Sequence, residues 1–202
     1  MTLHRATLIF ALCALFAGVL GCPSTPTRDA RAPEATLMGI ELRGETEIEI
    51  YDLNGDGKPD VWKYYVIRGG DDVPPEQRQR LLARHELDLD FDGRVDVRRY
   101  FNELGMVVRE EMDLDFDGQV DAVDYYSDGV LYRRDLAMDF AGRPSIIKFY
   151  NDGQLSRKER DTSGDGRMDT IEYYREGRLV RIGEDRDGDG KPNVYIEVGD
   201  DG

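Results

Sequence analysis

Short apolar runs rich in aromatic and β-branched residues alternate along most of the chain with polar runs dense in aspartate and glycine. Val61-Trp-Lys-Tyr-Tyr65, Val97-Arg-Arg-Tyr-Phe101, Ala122-Val-Asp-Tyr-Tyr126 and Thr170-Ile-Glu-Tyr-Tyr174 have the composition and length of strands. After such a run comes a glycine turn, as in Ser127-Asp-Gly129, Asn151-Asp-Gly153 and Arg175-Glu-Gly177, then a second strand-like segment leading into the next polar run. Each period is therefore one β-hairpin. The pattern predicts an all-β fold, an antiparallel β-hairpin repeat array of about six units of 24–25 residues. Two strands per unit return the chain to the same side, so the polar runs should line one edge of a curled meander sheet and the glycine turns the other. Ten to twelve short strands should twist into a sandwich or an open barrel. Adjacent tyrosines such as Tyr125 and Tyr126 point to opposite faces, which predicts ladders of stacked rings on both.

The polar runs carry the candidate chemistry. Five of them place oxygen-bearing side chains at positions 1, 3, 5 and 9 and glycine at position 6. The first offers Asp52, Asn54, Asp56 and Asp60, with the carbonyl of Lys58 at position 7. The second offers Asp88, Asp90, Asp92 and Asp96, and the third Asp113, Asp115, Asp117 and Asp121. The fourth has Asp161, Ser163, Asp165 and Asp169, the carbonyl of Arg167, and Glu172 at position 12; the fifth has Asp185, Asp187, Asp189 and Asn193. Hard oxygen donors around a sharp glycine bend suit Ca²⁺, which takes six to eight oxygens in a forgiving geometry. Tight turns held by Asx hydrogen bonds use the same residue types without a metal. A turn, however, does not need several carboxylates at alternate positions, which repel one another when no cation is present.

The loops start at 52, 88, 113, 161 and 185, and a sixth, decayed unit fills the gap before 161. In Ala137-Met-Asp-Phe-Ala-Gly-Arg-Pro-Ser145 positions 1, 5 and 9 have become Ala137, Ala141 and Ser145, while the strand Ile146-Ile-Lys-Phe-Tyr150 survives. That unit should bind no metal, so the hairpin is the structural unit and the metal an addition to it.

The run from Asp161 to Glu172 resembles a complete EF-hand calcium loop, in which position 12 supplies a bidentate carboxylate. The other runs are similar to the aspartate-rich calcium loops of dockerin and thrombospondin type 3 repeats, and the strands that follow replace the helices of an EF-hand. The segment Tyr173-Tyr-Arg-Glu-Gly-Arg-Leu179 is weakly similar to bacterial YD-type hairpin repeats.

Residues 1–21 read as a signal peptide with a basic start at Arg5 and an apolar stretch too short to span a membrane. Val19-Leu-Gly-Cys22 resembles a bacterial lipobox, which implies that Cys22 is lipidated. Residues 22–38 read as a flexible tether and 39–202 as the repeat domain, interrupted by an insertion at 69–84 that predicts a turn and a short helix begun by Pro74 and Pro75. Localisation in a bacterial cell envelope on a lipid anchor follows, with the outer membrane favoured because Pro23 is not the aspartate that retains lipoproteins in the inner membrane of enteric bacteria.

Without the leader the chain carries 26 basic against 42 acidic residues, a formal net charge of −16, which argues against nucleic acid as a partner. Cys13 and Cys22 are the only cysteines and both fall in or next to the leader, so no disulfide staples the domain. His85 is the only histidine after the leader, and the aspartates are accounted for by their loop positions, so enzymatic activity is not expected. The expected function is a membrane-anchored, calcium-stabilised surface or periplasmic module, monomeric, for structural support or interaction with a protein or polysaccharide. The alternative is a metal-independent acidic repeat that binds a basic partner or a polysaccharide.

Overall fold

The computed structural model describes residues 35–70, 73–139 and 142–199. The leader, Cys22 and nearly all of the expected tether lie outside the described residues. Thirteen strands follow one another: β1 (Thr36–Arg43), β2 (Thr46–Asp52), β3 (Val61–Arg68), β4 (Gln79–Leu87), β5 (Val97–Phe101), β6 (Val107–Met112), β7 (Ala122–Ser127), β8 (Val130–Met138), β9 (Pro144–Asn151), β10 (Gln154–Arg160), β11 (Thr170–Arg175), β12 (Arg178–Glu184) and β13 (Val194–Glu197). They form one antiparallel meander in which every strand pairs with the next in sequence. The hairpin array is as the hydrophobic pattern predicts.

Two boundaries differ from the sequence reading. Thr36, Leu37 and Met38 already belong to β1, because pairing with β2 continues past an irregularity at Leu37–Gly39 to Leu37↔Tyr51 and Thr36↔Asp52. The insertion is shorter than expected, since Gln79 to Arg84 lie in β4 and the helical part is one 3₁₀ turn, Pro75–Gln77.

The sheet is also neither a sandwich nor a barrel. Each strand meets only its sheet neighbours, and β1 and β13 remain as two separate edges. A single layer has no interior, and among the described residues only Ile48, Val61, Val97, Ala122 and Val123 are buried apolar side chains. More acidic groups than apolar ones are buried, including Asp60, Asp88, Asp124 and Asp135.

Stability must then come from cross-strand rows. On one face, rings on alternate strands (Tyr64, Tyr100, Tyr125, Phe149 and Tyr173) are separated by arginines on the intervening ones (Arg84, Arg109, Arg133, Arg157 and Arg181), in direct register. Guanidinium-to-ring distances run from 3.9 Å for Arg84 on Tyr64 to 6.0 Å for Arg109 on Tyr125. The expected stacks of rings are thus cation–π rows: corresponding rings lie two strands apart, roughly 10 Å, and arginine fills the gap. The one ring pair among the described residues, Tyr125 and Tyr132, is tilted with centroids 6.4 Å apart. Each contact is worth about 0.5–1 kcal/mol where solvent reaches it, and the row multiplies it.

The opposite face carries a row of charges in which Asp124 takes both Nε and Nη2 of Arg134 while Tyr126 donates to Asp124 and Glu110. Burial, with the charges of Asp124 and Glu110, pushes the Tyr126 phenol up to about 12. Three hairpin turns, at 128–129, 152–153 and 176–177, have positive φ at both central residues, as at Asp128 (50°) and Gly129 (78°). This is the twist that two-residue hairpins require.

Candidate metal centres

The polar runs join β2 to β3, β4 to β5, β6 to β7, β10 to β11 and β12 to β13, all at the same end of the strands. A single main-chain pattern closes each base. The position-9 N–H donates to the carbonyl just before position 1, as Asp96 to Leu87 (2.8 Å) and Asp121 to Met112 (2.9 Å). Loops are also tied to one another, since the N–H of Asp88 donates to Asp60, Asp113 to Asp96 and Asp185 to Asp169.

Within each loop the position-1 carboxylate accepts the N–H groups of positions 4 and 6. Asp113 takes Phe116 (2.8 Å) and Gly118 (2.7 Å), and Asp161 takes Gly164 (2.6 Å) and Gly166 (2.7 Å). The position-9 side chain accepts from position 2, as Asp60 from Leu53 (2.7 Å) and Asp121 from Leu114 (2.7 Å). Positions 3 and 5 receive the N–H two residues on, as Asn54 from Asp56 and Asp56 from Lys58 (2.8 Å each). The chain is thereby wound into a tight coil that turns the acidic groups toward one another.

Three coils bring three carboxylates together, with ligand oxygens within 4.8 Å of one another: Asp88, Asp90 and Asp96; Asp113, Asp115 and Asp121; and Asp185, Asp187 and Asp189. Each trio can hold a metal ion. Asp92 and Asp117 lie outside the trios; Asp92 is 3.6 Å from Arg94, and Asp117 accepts from Gln119. In the first loop Asp52, Asp56 and Asp60, and in the fourth Asp161, Asp165 and Asp169, form no such group, because Asn54 and Ser163 replace the acid at position 3. Lys58 and Arg167 enter their loops through main-chain N–H groups, which donate to Asp56 and Asp165. Asn193 accepts from Arg186 (3.1 Å).

Electrostatics separates the loops. Burial pushes the Asp88 carboxyl up, Asp96 and Asp90 add to this, and the N–H groups of Gly93 and Phe91 only partly offset it. A carboxylate crowded by like charges is what a divalent cation relieves. Partial burial acts upward on Asp161 too, but the N–H groups of Gly166 and Gly164 outweigh it and hold that carboxyl below the usual range. Asp52 is lowered first by the Gly57 N–H.

Glu172 does not sit with its loop. β11 begins at Thr170, directly after position 9, so position 12 is the third residue of a strand and points along the sheet face instead of back at the coil. There Glu172 accepts Lys158 (2.8 Å) and Tyr174, with Arg160 at 3.2 Å. Burial would raise its carboxyl, yet these partners hold it below the normal value. Lys63, Arg99, Asp124 and Lys148 occupy the same row in the other units.

Position 4 matters more than its lack of an acid implied. It has positive φ in every loop: Gly55 (81°), Gly164 (77°) and Gly188 (75°), but also Phe91 (66°) and Phe116 (63°). A phenylalanine there is strained by roughly 1–2 kcal/mol, and the signal in the sequence was the glycine shared by three of the loops.

No protein-family model matches this chain, and neither does any curated protein sequence. Among solved structures it is similar to accessory secretory proteins 1, 2 and 3 of Streptococcus pneumoniae (TM-score 0.39, 15% identity, 60% of this chain and 20% of that one). A GtfA/B complex bound to UDP and GlcNAc gives TM-score 0.38 and 16% identity over 60% of this chain and 24% of that one. TarM of S. aureus gives 0.31 and 8% over 72% and 21%. The chain spans about a fifth of the length of these structures, and the likenesses do not bear on its function.

Proposed function

We propose that the chain is a membrane-anchored, calcium-stabilised repeat module of a bacterial cell envelope, a structural or interaction scaffold and not an enzyme. One observation carries the calcium reading: the same winding recurs in five connections and in three of them converges three carboxylates, with the Asp88 carboxyl raised by burial, to which Asp96 and Asp90 add. All the donors are oxygens, which favours a hard cation, and the irregular set of carboxylates favours Ca²⁺ over Mg²⁺ because Ca²⁺ tolerates irregular coordination. A sheet with almost no buried apolar core gains from any ligand that binds only the folded state. The anchoring part of the proposal rests on the lipobox-like Val19-Leu-Gly-Cys22.

Calorimetric titration of Ca²⁺ into the metal-stripped protein is the test. At least three sites are expected, with Mg²⁺ displacing calcium only at large excess. No heat at millimolar calcium would reduce the loops to turns and favour an acidic edge that binds a basic partner directly.

A further inference from the structure

The ring-and-arginine row carries more cations than acids on a chain that is acidic as a whole. Four of its arginines, Arg84, Arg109, Arg133 and Arg157, pair with a carboxylate two residues on in the same strand: Glu86, Glu111, Asp135 and Glu159. The partners are not level with one another. The arginine side chains are 35–44% exposed and the carboxylates 4–17%. Rings hold the guanidinium groups up and outward while the acids sit beneath. Arg98 adds a further cation but shares Glu86 with Arg84.

The row ends at Arg181, where the pattern breaks. Its guanidinium lies between the rings of Tyr173 (4.7 Å) and Tyr195 (5.1 Å) and makes no ion pair among the described residues. Gly183 stands where the other arginine strands carry their acid. A side chain there is excluded, since a Cβ would fall 2.9 Å from Pro192 and 3.1 Å from the Tyr195 ring. The row therefore has six cations against five acids, Glu197 facing Arg181 in register without an ion pair to it, on a chain of formal charge −15.

We infer that this face is a binding track for a linear acidic polysaccharide, with Arg181 between Tyr173 and Tyr195 as its principal anion contact. Planar guanidinium groups recognise carboxylate or sulfate through paired hydrogen bonds, and flanking rings offer flat apolar surface to sugar rings. Successive arginines lie two strands apart, roughly 10 Å, so anionic groups recurring along a chain meet one cation after another. Each strand adds about 20° of twist, so the track winds; a flexible linear polymer follows it, while a planar bilayer touches only part of it. The inference requires no calcium, so its failure would leave the reading of the loops intact.

The test uses the calcium-loaded protein with dextran sulfate as probe and neutral dextran as control, read by biolayer interferometry. Dextran sulfate should bind and neutral dextran should not, with affinity falling as salt rises. Arg181→Gln should weaken binding about tenfold, Arg181→Lys should recover part of the loss, and Arg181→Gln with Arg98→Gln should weaken it further, with unchanged circular dichroism in each. No binding, equal binding of neutral dextran, or wild-type affinity in the folded double variant would overturn the inference. So would tighter, Arg181-dependent binding to phosphatidylglycerol vesicles, which would assign the face to a membrane.

Discussion

The β6–β7 loop and the β8–β9 connection occupy equivalent places in neighbouring hairpins, yet one gathers three carboxylates and the other keeps only Asp139. The flanking strands are indifferent to this: β8 pairs with β9 through Arg133↔Phe149 and Leu136↔Ile146 just as β6 pairs with β7 through Arg109↔Tyr125 and Met112↔Ala122. What differs is the source of positive charge. Asp139 accepts both the N–H and Nε of Arg143 at 2.8 Å, so the decayed unit carries its own cation. That guanidinium also lies against the next loop, where a Cβ on Gly166 would fall 2.6 Å from Arg143 Nη1. The hairpin is thus independent of the acidic loop.

The largest expected effect breaks the comparison outright. Chelation with EDTA should lower Tm by about 15–30 °C, three sites each contributing a few kcal/mol when calcium is well above Kd. Identical melts with and without calcium would mean that the two kinds of connection are alike. A single substitution narrows the question: Asp115→Ala should lower Tm by about 5–10 °C in calcium and hardly at all in EDTA.

Glu172→Gln sharpens it from the sheet side. The substitution leaves Lys158 and Arg160 without their acid and should cost about 2 kcal/mol in chemical denaturation, equally with and without calcium, and the number of calcium ions bound should not change. A lost site would return Glu172 to the fourth loop as a ligand. In the decayed unit Asp139→Ala should cost about 1 kcal/mol, again regardless of calcium, because its partner is Arg143.

The smallest effect is a difference in sign between two loops of the metal-free protein. Asp161 and Asp169 are held below the usual carboxylate range, so their contribution to stability is present above about pH 4 and is lost as pH falls. Asp88 is raised, so its contribution runs the other way, present at low pH and lost as pH rises through its folded value. On acidification, carboxyl NMR titration should show Asp88 protonating before Asp161 and Asp169; the reverse order would contradict the burial and crowding at Asp88.

Strands and turns were legible because their signals are local. Alternation places Tyr125 and Tyr126 on opposite faces, and Asp128-Gly129 can take the positive φ of a two-residue turn, whatever lies elsewhere in the chain. Glu172 was misread because position 12 has meaning only relative to the element that follows the loop. A helix would bring that side chain back to the coil, whereas a strand carries it along the sheet to Lys158.

The amino-acid sequence by itself determined the period, the hairpin, the end of the strands at which the acidic runs emerge and the donors at positions 1, 3, 5 and 9, since all of these follow from side-chain alternation and backbone preference over a few residues. Only the tertiary structure decided that the sheet stays a single open layer, that arginines part the rings, and that Glu172 lies on the sheet face beside Lys158. Those outcomes depend on cross-strand neighbours about 8 to 16 residues apart, whose register is set by pairing and whose charges are felt only once the strands lie side by side.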